Sequence, residues 1–335
     1  MKNIELPRRV VVGDDAIKCV KDVCCELNLE GRSLVVSDGE TYKVAGKEVA
    51  GSMNSEVNII NSINNFQEIL DYIKDKKIRF VLGVGGGKVI DTAKYTSFKS
   101  NIPFLSIPTS AAHDGIASPL VSLKEDKPIS VKARSPVAII ADTNIIKKAP
   151  HRLLAAGCGD AISNYTAVLD WKLAHKEKGE YYGDYASSLS MMSAQIVMDN
   201  AEKIADDVSI LVEALISGGV AIGIADSSRP CSGSEHLFSH ALDIICPNPA
   251  LHGDQCGVGT IMMAYLHKDE TWKKIRNSLK IIGAPTNSKE LGIEDKYIIE
   301  ALTIAHTMRD RYTILGNGLS EKEAKNLAKT TGVIE

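Results

Sequence analysis

Arg79-Phe-Val-Leu-Gly-Val-Gly-Gly-Gly-Lys-Val-Ile-Asp91 reads as an apolar strand that ends in a glycine cluster and turns into a helix. Glycines adopt positive φ at little cost and let a phosphate approach the backbone closely. The helix behind them offers free N–H groups and the positive end of its dipole. Lys88 adds a charge. The spacing is neither the G-x-G-x-x-G fingerprint nor a Walker loop, which needs Gly-Lys followed by Ser or Thr. Gly85, Gly86, Gly87 and Lys88 are therefore expected to hold the phosphates of a dinucleotide in an unusual way, a tight turn of structural use being the alternative.

On either side of this stretch, short apolar runs alternate with amphipathic ones. Val10–Val12, Ser33–Ser37, Val57–Ile60, Arg79–Val84, Phe104–Ile107 and Val137–Ala141 read as strands. Asp14–Glu26, Gly39–Ala50, Asn65–Lys76 and Lys88–Ser97 carry helical spacing between them. This rhythm predicts a doubly wound parallel sheet with crossover helices, a Rossmann-like α/β domain. Thr109–Arg134 breaks the rhythm and predicts a loop and a small hairpin before the last strand. Asp38 follows one strand, where a carboxylate can accept both hydroxyls of an adenosine ribose, or can simply begin a turn.

After Pro150 the strand-like runs cease. Leu153–His175, Tyr185–Ala205, Val208–Ala225, Glu235–Ile245, Val258–Leu266, Trp272–Ile282, Lys296–Leu315 and Ser320–Thr330 read as helices, the last with Ser320 as its N-cap. The expected organisation is an α/β dinucleotide-binding domain over 1–149 and an all-helical metal- and substrate-binding domain over 150–335, with the active site in the cleft between them.

Composition narrows the function classes. A net charge of −3 over 335 residues, with basic residues scattered among acidic ones, gives no footprint for nucleic acid. No run reaches the roughly 20 apolar residues of a membrane span, and the N-terminus lacks a signal-peptide core. Seven cysteines without framework spacing predict reduced thiols in a reducing compartment, hence a cytoplasmic protein.

Three segments carry metal-ligand residue types. Gly157-Cys-Gly-Asp160 places a carboxylate near the start of an apolar helix. Glu235-His236-Leu-Phe-Ser-His240 puts two imidazoles one helical turn apart, on one face. Leu251-His252-Gly253-Asp254 adds a third. A carboxylate with two imidazoles leaves an open position, which suits a catalytic zinc or iron. Separately each segment has an ordinary reading, Asp160 as a helix cap and the histidine pair as surface or core.

The ordered set GGGKVID, PTSAAHDGIAS, GCGDAIS, SGSEHLFSHALD and LHGD resembles the superfamily of glycerol dehydrogenases, dehydroquinate synthases and iron-dependent alcohol dehydrogenases. Within it the chain is similar to the archaeal sn-glycerol-1-phosphate dehydrogenase family, and the similarity spans nearly the whole sequence. By that resemblance Asp160, His236 and His252 match the metal ligands, with zinc expected and nickel or iron possible. Gly87 to Asp91, Thr109, Ser110, Ala111, Ala112 and Ser118 match contacts to NAD or NADP. Asp114, Asp160 and His240 match substrate contacts, with His240 and Asp160 expected at the chemistry itself. The implied reaction is reduction of dihydroxyacetone phosphate to sn-glycerol 1-phosphate, the backbone of archaeal phospholipids, by a homo-oligomer. A substrate phosphate calls for a cation, and Lys132, Arg134, Arg229, Arg309 and Arg311 all qualify.

Competing readings are a glycerol dehydrogenase or a 3-dehydroquinate synthase on the same fold, and a regulator that binds metal or nucleotide without turnover. The synthase reading wants more basic residues around the glycine cluster than this sequence has. The regulator predicts the loss of a ligand, yet every expected position is filled.

Overall fold

The computed structural model describes residues 4–60, 66–124 and 128–335. Asn65, the expected first residue of one crossover helix, and residues 125–127 of the expected hairpin lie outside the described residues. The chain divides into two compact units, Met1–Pro150 and His151–Glu335.

In the first unit, β1 (Arg9–Gly13), β2 (Ser33–Ser37), β3 (Glu56–Ile59), β4 (Phe80–Gly85), β5 (Phe104–Pro108) and β8 (Ala138–Asp142) form one parallel sheet in the order β1-β8-β5-β4-β2-β3. Each strand lies within one residue of its expected ends. The helices are α1 (Val20–Glu26), α2 (Gly39–Thr41), α3 (Lys47–Met53), α4 (Phe66–Asp75), α5 (Gly87–Lys99) and α6 (Thr143–Ile146). β6 (Leu120–Lys124) and β7 (Pro128–Lys132) pair as an antiparallel hairpin. Phe80, Leu82 and Val84 join the core on one face of the sheet, and Val81 joins the core on the other. This two-residue alternation, buried on both sides, explains why parallel strands read as continuous apolar runs.

β2 leads outward to β3, whereas β4 leads the opposite way to β5 and β8. The carboxyl ends of β2 and β4 therefore flank the switch point at which such sheets bind ligands. Gly85 ends β4, and Asp38 follows β2.

The expected single helix over Gly39–Ala50 is instead the short α2, a wider π-helical stretch at Tyr42–Gly46, and α3. Gly46 marks the cause. A Cβ there would meet the Tyr42 ring at 2.8 Å and Ser37 Oγ at 3.2 Å, so the chain is pressed against the sheet.

The second unit consists of α7 (His151–Lys178), α8 (Asp184–Asp199), α9 (Ser209–Ala225), α10 (Ser234–Ile245), α11 (His252–Leu266), α12 (Trp272–Ile282), α13 (Ser288–Leu291), α14 (Asp295–Ile304) and α15 (Glu321–Thr330). Ser320 caps α15 and Glu323 returns the bond, a complete capping box. None of these helices is long and apolar enough to cross a membrane.

Two expectations shift here. α11 begins at His252 rather than near Val258, and the helix expected over Lys296–Leu315 ends at Ile304, with one tighter turn at Ala305–Thr307. Beyond that turn the chain is anchored by side chains rather than by helical bonds. The Ile314 N–H donates to Asp170 Oδ1 at 2.7 Å, and the Arg311 guanidinium reaches Ser232 O and Ser228 Oγ.

α7 and α11 cross at backbone contact. A Cβ on Gly253 would lie 1.9 Å from Ala156 O, and one on Gly159 would lie 2.2 Å from Gly253 O. Only glycine fits at either point. The chain neighbours of these two glycines are Asp160 and His252.

Candidate metal and cofactor sites

That crossing brings Asp160 Oδ1 to 3.8 Å from His252 Nε2, and α10 presents His236 Nε2 at the same 3.8 Å. The three donors and the Cys256 sulfur all lie within 4.8 Å of one another. Two ligands held at about 2.0–2.2 Å on a tetrahedral ion stand about 3.4 Å apart. The two 3.8 Å separations thus fit a divalent cation after contraction by a few tenths of an ångström.

The surroundings fix which ring nitrogen faces the cluster. Glu235 Oε1 takes the His236 Nδ1–H at 2.9 Å and the Gly233 N–H at 2.6 Å, while Glu235 Oε2 accepts from Thr166 Oγ1 at 2.7 Å. Glu235 is completely buried, and its carboxylate leaves the His236 Nε2 lone pair for a metal. His252 Nδ1 lies 3.1 Å from Ser239 Oγ, a hydroxyl also held by Gln255 Nε2 at 2.9 Å. With Nδ1 donating to that hydroxyl, Nε2 faces Asp160. Neither Glu235 nor Ser239 stands out in the sequence; a carboxylate immediately before a candidate metal histidine is the available signal.

His240 stands one turn beyond His236, its ring stacked 5.8 Å from that of His252. Its Nε2 accepts from Arg309 Nη2 at 3.2 Å, so the proton sits on Nδ1, which is buried without a hydrogen-bond partner. Burial, then Arg309, His236 and Arg311, push its pKa down to about 3. The five candidate phosphate cations separate clearly. Arg229 is committed to Glu180 and to Tyr312 O at 2.9 Å. Arg311 is spent on Ser232 and Ser228, and burial with neighbouring Arg229 and Arg309 lowers its pKa to about 9. Arg134 pairs with Asn101 at 2.8 Å on the α/β unit, where Lys132 also lies. Arg309 touches a histidine of this cluster.

The α/β unit carries the glycine turn. No glycine from Gly83 to Gly87 has positive φ, so their service is close approach rather than turn geometry. A Cβ on Gly87 would meet His113 Nε2 at 2.0 Å, and one on Gly85 would meet Val89 at 2.7 Å and Thr41 Oγ1 at 2.9 Å. Gly86 is the N-cap of α5, and a Cβ there would meet only Ser110 Oγ, at 3.7 Å, leaving room for a phosphate over the helix N-terminus. Thr109 donates its N–H to Gly85 O at 3.1 Å; Ser110, Ala111 and Ser118 are buried, and Ala112 and Asp114 are half-buried. Lys88 is exposed.

Two expected contacts have structural duties of their own. Asp38 Oδ1 caps α2, accepting from Glu40 N at 3.0 Å and Thr41 N at 2.8 Å, so a ribose contact would have to come from Oδ2. Asp91 points inward, where Oδ2 accepts the Ser122 N–H at 3.0 Å. Its Oδ1 is buried and faces the Lys94 ammonium at 3.5 Å.

Lys94 went unnoticed in the sequence. It is fully buried, and its ammonium donates to Gly115 O at 2.8 Å and Leu120 O at 2.7 Å, with Asp91 Oδ1 at 3.5 Å. Burial lowers its pKa while Asp91 and Asp114 oppose the shift. It ties the Asp114–Ser118 loop to α5. Lys94→Met should cost about 3 kcal/mol, because carbonyls and a carboxylate lose a buried partner. Thermal denaturation should show a fall of roughly 6–12 °C; an unchanged melting temperature would contradict the assignment.

The profile of the iron-containing alcohol dehydrogenase family matches residues 11–150. A Thermococcus sibiricus protein named glycerol-1-phosphate dehydrogenase (NAD(P)+) is 52% identical over 347 aligned positions, covering 100% of this chain and 99% of the relative. A Methanosarcina mazei protein of the same name is 53% identical, covering 99% and 97%. Among solved structures, a probable glycerol dehydrogenase from Sinorhizobium meliloti superposes over 100% of both chains with a TM-score of 0.81 at 18% identity, a likeness of fold. With half its residues shared end to end with such relatives, the chain belongs to the glycerol-1-phosphate dehydrogenase family.

Proposed function

We propose that this chain reduces dihydroxyacetone phosphate to sn-glycerol 1-phosphate with NADH or NADPH, supplying a phospholipid backbone in the cytoplasm as a homo-oligomer. The observation that carries the reading is the joint placement of Asp160, His236 and His252 with Arg309 alongside His240. It describes a centre for a ketone that bears an anion.

Asp160, His236 and His252 would hold a divalent metal, zinc by preference, whose Lewis acidity polarises the ketone oxygen. Reduced nicotinamide, seated over Gly85–Lys88 by the phosphates and contacted by Asp91, Thr109–Ala112 and Ser118, would supply the hydride. Glu235 and Ser239 keep the two imidazoles aimed at the cluster. His240, with Nε2 occupied by Arg309, offers its Nδ1–H to a substrate oxygen and fixes the face presented. Asp160 and Asp114 accept the substrate's hydroxyl. Arg309 binds the phosphate through its fork of donors.

Arg309→Ala should raise KM for dihydroxyacetone phosphate by about 10–100-fold, the loss of one charged hydrogen-bond partner. KM for dihydroxyacetone should move far less, through the lost donor to His240 Nε2 alone. Equal changes for both ketones would remove Arg309 from the phosphate.

The reading as a whole is tested by following NADH oxidation with each ketone, before and after chelator treatment. Turnover that prefers the phosphorylated ketone and disappears with the metal supports it. Turnover unaffected by stripping the metal, or none in the metal-loaded protein, overturns it.

A further inference from the structure

Between Ala112 and Asp114, His113 folds its ring back over the first residue of α5. Two glycines make room for it. A Cβ on Gly87 would lie 2.0 Å from Nε2, and one on Gly115 would lie 2.3 Å from Cε1 and 2.5 Å from Nδ1. The Gly115 N–H donates to Nδ1 at 2.9 Å. A ring nitrogen that accepts carries no proton, so the proton sits on Nε2. The imidazole is thus fixed in place and in tautomer, with its donor turned toward Gly87. At this end of α5 the Ile90 N–H bonds to Gly86 O at 3.0 Å, and the N–H groups of Gly87, Lys88 and Val89 come before it, without an i−4 acceptor in the helix. Gly86 has no side chain to cap them, and the first turn holds no carboxylate. An anion is favoured there.

We propose that His113 is a cofactor-binding residue, its Nε2–H donating to the pyrophosphate of the dinucleotide seated at the start of α5. The inference rests on the cofactor reading above and adds a side-chain donor to the backbone ones. Lys88, the nearest cation in sequence, is exposed. Ordering its long side chain on a phosphate costs entropy that a ring already held by Gly115 does not lose. A ring wedged between two glycines also seats the 113–116 turn on α5, and the two roles are separable because the two nitrogens do different work. An asparagine amide oxygen can replace Nδ1 as the acceptor for Gly115, whereas a glutamine amide N–H reaches about as far as Nε2.

The test is calorimetric titration of the metal-loaded protein, with no ketone present, by NADH and by ADP-ribose, which keeps the pyrophosphate and lacks the nicotinamide. Wild type, His113→Ala, His113→Asn and His113→Gln are compared. In His113→Ala and His113→Asn the Kd of both ligands should rise together by about tenfold or more, the loss of one hydrogen bond to a charged group. His113→Gln should stay within about threefold of wild type, because it restores the donor. The reverse order, with His113→Asn binding like wild type and His113→Gln weakened, would overturn the proposal and leave His113 only the seating of the turn. A loss for NADH without a loss for ADP-ribose would overturn it too, by moving the contact away from the pyrophosphate. If wild type binds neither ligand, the cofactor reading falls with the proposal. If both bind with the expected pattern and dihydroxyacetone phosphate is not reduced, the proposed function falls and the role of His113 stands.

Discussion

His236→Ala is expected to lower kcat/KM for dihydroxyacetone phosphate by at least about a thousandfold, with the metal lost in the same step. Lewis-acid polarisation of a carbonyl is worth several kcal/mol, and each 1.36 kcal/mol is a factor of ten. The His236 Nε2 is held toward Asp160 by Glu235, whose buried carboxylate takes the other ring nitrogen at 2.9 Å. Removing the imidazole therefore leaves a buried carboxylate short of one partner as well as a cluster short of one donor. Metal content should drop below one ion per chain, and added zinc should restore little activity. Glu235→Gln provides the graded comparison. It keeps the shape but weakens the orienting bond, and should cost about 10–100-fold in metal affinity. If His236→Ala keeps its metal and its rate, the cluster is not the catalytic centre.

Gly253→Ala should be nearly as damaging although it adds one methyl group. That methyl would stand 1.9 Å from Ala156 O and 2.6 Å from the carbonyl carbon, both backbone atoms that cannot swing aside. α7 and α11 must separate, and with them Asp160 and His252. Overpacking of this sort costs about 1–3 kcal/mol or more. A displacement of about 1 Å at a reacting centre costs about a hundredfold in rate. Gly51→Ala is the control: its Cβ would meet nothing within 4 Å in α3, and it should stabilise by about 0.4–1 kcal/mol. Metal content and melting temperature of the two variants, side by side, decide the matter. A Gly253→Ala protein with normal metal binding would refute the close-crossing explanation.

The strands were legible because each is buried on both faces and bounded by turns, so apolar runs such as Phe80–Val84 announced themselves. The candidate ligand types were legible too, since Asp160, His236 and His252 sit in short segments rich in glycine or histidine. Their convergence was not, because it depends on a helix crossing that glycine permits and sequence periodicity does not encode. The start of α11 was hidden for the same reason: Gly253, Gly257 and Gly259 dilute the apolar repeat of its first turns. The end of α14 was hidden because Arg309 and Arg311 are turned inward by His240 and Ser232, partners more than 60 positions away. Lys94 looked like an ordinary surface position of an amphipathic helix; only the loop packed over it makes it internal.

The most direct measurement of the central claim is the handedness of the product made by the metal-loaded protein from dihydroxyacetone phosphate and NADH. A dehydrogenase specific for sn-glycerol 3-phosphate, applied to the purified glycerophosphate, reads it out. The account predicts sn-glycerol 1-phosphate, untouched by that enzyme; a product consumed in whole or in half, or no glycerophosphate at all, would contradict it.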